Sequence, residues 1–149
     1  MKKALAVLGC TLLAVAPFAH ADEVEDTIKA RQAAYRLLAW NTGVIKANLQ
    51  GEFDAKKVQT AANTIAAIAH SDMGALYAPG TENGKGYYPT KAKAAAFTDD
   101  KVVKVATDFV KAADALAAAA QGGDKDAVKA AFGDLGGSCK ACHDDYRAK

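Results

Sequence analysis

The sequence is poor in residues that build sheets or interrupt helices, with one Trp, three Pro and an aromatic share of 7% in 149 residues. Strand formers are sparse and Ala is abundant, so the composition excludes a strand-rich fold and favours helix, for which Ala has the highest propensity. No apolar run reaches the roughly 18 residues that a helix needs to cross a bilayer. Neither sign of charge dominates, because 19 Lys and Arg stand against 17 Asp and Glu in a chain that is 51% hydrophobic. A basic nucleic-acid surface and a disordered, highly charged chain are both excluded, which leaves one globular domain.

Cysteine, histidine and methionine are scarcer still once the first segment is considered. Met1-Lys2-Lys3 is a basic start, Ala4 to Ala16 is apolar, and Ala19-His20-Ala21 is a small-x-small cleavage pattern before Asp22. Residues 1–21 therefore read as a secretory signal and 22–149 as the mature domain, placed in the periplasm. A permanent membrane anchor is the poorer reading because the apolar stretch is short. An acylated Cys10 is poorer too, since it lies inside that stretch with a better cleavage site downstream. Cleavage after Ala21 removes Lys2 and Lys3 but no acid, so acidic and basic side chains balance in the mature chain. What remains is Cys139, Cys142, His70, His143 and a single methionine, Met73.

The rest of the chain has helical periodicity. Apolar residues at Val24, Ile28, Tyr35, Leu38, Ile45 and Leu49 step by threes, fours and sevens, with Arg31 as the charged interruption, and Gly51 ends the run. A second helix opens near Asp54 and carries Val58, Ala61, Ile65 and Ile68 toward Met73. Gly74, Pro79, Gly80, Gly84, Gly86 and Pro89 mark a long loop. A third helix is predicted from Thr98-Asp99 to Gly122-Gly123, with Val102, Ala106, Phe109, Ala113, Leu116 and Ala120 on one face. A fourth starts at Asp124 and runs through Val128, Phe132 and Leu135 into Cys139. Four long helices with short connections imply an all-α, antiparallel up-and-down four-helix bundle.

The chemistry is concentrated in Cys139-Lys140-Ala141-Cys142-His143, a C-x-x-C-H sequence that reads as covalent attachment of one haem c. Two thiols three apart on a helix project to the same side and can add to the two vinyl groups of a porphyrin, while the following imidazole ligates iron. Export agrees with that reading. A dithiol oxidoreductase would use the same two cysteines but lacks the βαβ context, and zinc would lack a fourth nearby ligand. There is no G-x-S-x-G, phosphate loop or H-E-x-x-H, so an enzyme is not indicated, and Asp144-Asp145 reads as exposed helix surface.

Arg31-Gln32 in the first helix, Pro79-Gly80-Thr81-Glu82 in the loop, and Ala130-Ala131-Phe132-Gly133-Asp134 leading to Cys139, Cys142, His143 and Arg147 carry a resemblance. On these residues the whole of 22–149 resembles cytochrome c′, the four-helix-bundle class of c-type cytochromes. The resemblance implies haem c bound through Cys139 and Cys142, with His143 as axial iron ligand. It implies Arg31, Gln32, Thr81 and Glu82 along the propionates and haem edge, Tyr35 over the distal face and Arg147 beside the proximal histidine. One departure is that many relatives have a Trp soon after the loop proline, where Pro89 is here followed by Thr90-Lys91-Ala92-Lys93.

A five-coordinate, high-spin iron that binds NO and CO follows from that resemblance, with a role in electron transfer or NO sequestration. So do an unidentified redox partner protein and a homodimer through the first two helices, with Trp40 and Phe53 as candidate contacts. The alternative within the same fold is a six-coordinate, low-spin electron carrier. In that case Met73 or His70 supplies the sixth ligand, because the first helix has no methionine to offer.

Overall fold

The computed structural model describes residues 18–149. Residues 1–17, which hold Cys10 and most of the expected leader, lie outside the described residues. Helix α1 spans Phe18–Gln50, starting ahead of the predicted Val24 because the Ala-rich stretch after Pro17 contains nothing that stops a helix. Helix α2 spans Ala55–Ala69 behind Asp54, whose Oδ1 accepts the Lys57 N–H at 3.1 Å. It ends earlier than expected, and Met73 instead opens a 3-10 turn, Met73–Tyr77.

The third predicted helix is divided. A single turn, α3 (Ala95–Thr98), precedes α4 (Lys101–Gly122), and Asp99 in the gap accepts the Lys101 N–H at 2.9 Å. Helix α4 stops at Gly123, whose φ of +70° suits glycine and brings its N–H back to the Ala120 carbonyl. Helix α5 spans Lys125–Tyr146 behind Asp124, whose Oδ1 accepts the Ala127 N–H at 2.7 Å.

Packing is uneven around the bundle. Helices α1 with α2, α2 with α4, and α4 with α5 meet along their lengths, whereas α1 and α5 touch at only a few points. The core runs through Leu38 and Ile45 of α1, Val58, Ala61 and Ile65 of α2, Ala113, Leu116 and Ala120 of α4, and Val128 and Leu135 of α5. Burial of these stripes, not local propensity, supplies most of the stability of such helices. Two stripe positions depart from expectation: Ala106 is exposed, and Tyr35 is 38% exposed because it faces the side where α1 and α5 separate.

The loop from Ala78 to Ala94 is held by polar contacts. Its backbone forms isolated bridges at Lys85–Pro89 and Ala92–Arg147, and the second ties it to the chain end beyond α5. Among the described residues no helix is long and apolar enough to cross a membrane.

Candidate functional site

Helix α5 presents its three chemical groups within one turn. Cys139 and Cys142 are free, half-buried thiols, and His143 follows on the exposed side of the helix. A Cβ placed at Gly133, Gly136 or Gly137 would meet nothing within 4 Å, so the helix surface leading to the thiols is open. The donor set fits haem c: paired unoxidised thiols, an adjacent imidazole, and a gap between α1 and α5 beside them. Burial pushes both thiols above the usual cysteine value. Among the described residues no cluster of three or more His, Cys, Asp or Glu is set to hold a metal ion.

Partial burial of its ring, and then the Arg147 charge, lower the His143 pKa and favour the neutral imidazole that binds metal. A cleft of about 720 Å³ opens here, lined by Lys91, Lys93, His143, Asp144, Arg147 and the chain end. Arg147 reaches it from just beyond the helix end. The helix ends at Tyr146, Arg147 is extended (φ −113°, ψ 131°), and its backbone pairs with Ala92. The Ala148 N–H donates to the Lys91 carbonyl at 2.8 Å and the Lys93 N–H to the Tyr146 carbonyl at 2.9 Å, which is why the helix is abandoned. Lys93 Nζ also donates to the carbonyls of Asp144 and Asp145, at 3.1 and 3.0 Å, closing the exposed end of α5. The stretch Lys91 to Lys93 is therefore pinned by backbone pairing.

On the facing side, α1 contributes Arg31, Gln32 and Tyr35. Arg31 is 4% exposed, and its guanidinium donates to the Leu76 carbonyl (2.7 Å), the Thr81 hydroxyl (3.0 Å) and carbonyl (2.8 Å), and the Thr90 hydroxyl (3.0 Å). Gln32 works in both directions: its Nε2 donates to the Tyr88 carbonyl at 2.7 Å and its Oε1 accepts the Tyr87 N–H at 2.9 Å. Both side chains thus clamp the loop onto α1, a task their sequence spacing did not suggest. Gly86 closes the clamp, since a Cβ there would lie 2.8 Å from Gln32 Oε1 and 2.9 Å from the Lys29 nitrogen. The Glu82 carboxyl is held below its usual range by backbone N–H groups at Glu82 itself and Gly80, and then by the Arg31 charge.

Tyr35 reaches the Tyr77 hydroxyl at 2.9 Å. Burial, and then Tyr77, push the Tyr35 phenol well above its usual value, and both phenols lie within electrostatic reach of Cys142. Tyr77 was not anticipated; nothing distinguishes it locally from any aromatic residue before a loop. The two candidate sixth ligands are engaged elsewhere. His70 Nε2 is 2.8 Å from Asp114 Oδ1 on the α2–α4 surface, and Met73 packs against the core.

Comparison with known proteins identifies the relatives of this arrangement. The family model for cytochrome c′ matches residues 26–147. The cytochrome c′ of Rhodocyclus tenuis is 54% identical over 127 residues, 84% of this chain and 96% of its own. That of Allochromatium vinosum is 52% identical over 126 residues, 84% of this chain and 82% of its own. A solved cytochrome c′ described by an unusual ligand-controlled dimer dissociation superposes with a TM-score of 0.82 at 52% identity, covering 85% of this chain and 97% of that one. More distant structures, of variants of the Alcaligenes xylosoxidans protein, carry carbon monoxide in one case (36% identity, TM-score 0.71) and nitric oxide in another (35%, 0.72). Each covers 85% of this chain and 97% of its own.

Proposed function

The chain belongs to the cytochrome c′ family, and from that premise we propose that it is an exported, five-coordinate haem protein that binds NO and CO. Members of the family bind haem c, which here is held through Cys139 and Cys142. When bound, the haem would supply an iron that takes a histidine nitrogen and a small gas. His143 provides that nitrogen, its neutral form favoured by partial burial and by Arg147 at the proximal side.

The observation that carries the open sixth position is what α1 turns toward the gap. Tyr35 stands there, while Met73 packs in the core and His70 is engaged by Asp114. A phenol in that place excludes water and bulky ligands and yields to a diatomic gas. The capture of carbon monoxide and nitric oxide by variants of the Alcaligenes xylosoxidans protein supports the same chemistry here. Arg31, Gln32, Thr81 and Glu82 form the loop wall against which the haem edge and propionates lie. Arg31 bonds to Thr81 and Gln32 to Tyr87 and Tyr88, and these bonds hold the wall in one conformation.

Cleavage after Ala21 releases residues 22–149 as the mature domain into the periplasm, where the haem is attached. The protein then serves electron transfer with an unidentified redox partner, or sequesters NO, without acting as an enzyme. A homodimer through α1 and α2 covers the outer face of α1, where Trp40 is 72% exposed. Phe53 is the weaker contact, being half-buried against the core with Lys125 Nζ 6.0 Å from its ring centre.

The test is the optical spectrum of the haem-loaded protein, ferric and ferrous, with and without CO. A broad high-spin ferrous Soret band that sharpens and shifts with CO is expected. Sharp α and β bands that ignore CO would overturn the reading and return Met73 or His70 as a sixth ligand.

A further inference from the structure

We propose that Tyr77 is a positioning residue for gas binding: its hydroxyl holds the Tyr35 phenol in the gap between α1 and α5, so that gas entry breaks a hydrogen bond between two tyrosines. This rests on the gas-binding reading above and names the residue that tunes it.

The geometry makes Tyr77 the fixed member of the pair and Tyr35 the movable one. The two oxygens are 2.9 Å apart although the residues are separated by 42 positions. The Tyr77 ring lies 5.3 Å from that of Phe97 at 57°, and the Arg31 guanidinium sits 5.0 Å from the Tyr77 centroid and 5.4 Å from that of Phe97. Such cation and edge contacts orient a ring. Arg31 is itself locked to the carbonyl of Leu76, the residue just before Tyr77, and to Thr81 and Thr90. Among the described residues Tyr35 makes no ring or cation contact of this kind. Thermal motion that clears the gap is therefore motion of Tyr35 away from Tyr77.

Each approach of a gas is therefore opposed by one neutral hydrogen bond.

Tyr77→Phe removes one oxygen and leaves the ring contacts in place. The experiment measures CO association with the ferrous, haem-loaded wild type, Tyr77→Phe, Tyr35→Phe and the double variant. Loss of one neutral hydrogen bond should speed association roughly two- to tenfold in Tyr77→Phe. Tyr35→Phe should give a similar increase, and the double variant should be no faster than the faster single one. That non-additivity is a signature that general loosening of the loop does not produce. If the wild type binds CO but Tyr77→Phe matches it, or if the two single effects multiply in the double variant, the inference is overturned and the gas-binding reading stands. If the wild type binds no CO, the gas-binding reading falls and the inference falls with it.

Discussion

The bundle is built by two different devices on its two sides. Where α2, α4 and α5 meet, Val58, Ile65, Leu116, Val128 and Leu135 interdigitate, each at most 1% exposed. Where α1 meets the loop, the buried groups are a guanidinium, an amide and a hydroxyl, those of Arg31, Gln32 and Thr81. Aliphatic packing is non-directional and needs only the right volume, so it can hold helices together with any loop. Hydrogen bonds are directional and costly to leave unmade, so they fix one loop conformation. Among the described residues every buried side-chain nitrogen and oxygen has a partner.

If the two sides are separate devices, damage to each should look different. Leu116→Ala empties the centre of the aliphatic side and should lower global stability by about 4 kcal/mol. Denaturant unfolding should show it, with no increase in protease cutting of the loop under native conditions. Arg31→Met should cost about 3 kcal/mol, because the Leu76 and Thr81 carbonyls and two hydroxyls lose their donor. Here limited proteolysis should cut between Ala78 and Ala94 before the bundle unfolds. Equal loop protection in both variants would show that the clamp and the core are one cooperative unit.

Gly86→Ala sharpens the same contrast at smaller scale. Its Cβ meets backbone at Lys29 and the amide oxygen of Gln32, neither of which can move far. A loss of about 1–2 kcal/mol is expected, seen as a lower unfolding midpoint together with loop cleavage. An unchanged midpoint would mean that the loop slides along α1 without loss.

The same division explains what could be read from the sequence. The stripes at Ile28, Leu38 and Ile45, at Val58, Ala61 and Ile65, and at Ala113, Leu116 and Ala120 are local periodicities, and they lie buried as read. The caps at Asp54 and Asp124 were legible for the same reason. The C-x-x-C-H segment is also local, and α5 places its thiols and imidazole within one turn. The clamp was not legible. Arg31 stands out as the charged interruption of its stripe, but the oxygens it bonds lie 45 to 59 residues away, and no spacing rule reaches that far. Tyr77 and Thr90 escaped notice for this reason. The place of Arg147 was not legible either, because the pairing with Ala92 that draws it off the helix spans 55 residues.

The chain end provides the finest test of the comparison, because it joins the polar side to α5 through a single titratable contact. Tyr146 is 5% exposed and its hydroxyl donates to Asp99 Oδ2 at 3.0 Å, linking the end of α5 to the gap between α3 and α4. The Lys101 N–H, and then this hydroxyl, hold the Asp99 carboxyl below its ordinary value. A carboxyl lowered on folding contributes stability above its unfolded value, near pH 4, and that contribution is lost as the pH falls through the lowered folded value. Tyr146→Phe removes one of the two donors, so wild type should exceed the variant in stability by a constant amount at and above about pH 5. Below about pH 4 the gap should narrow as Asp99 takes up a proton and the hydroxyl loses its charged acceptor. Unfolding midpoints of the two haem-loaded proteins from pH 7 to pH 3 measure this directly. A gap that stays constant across the range would mean that Tyr146 holds α5 by packing alone, and that the chain end belongs with the aliphatic side of the molecule.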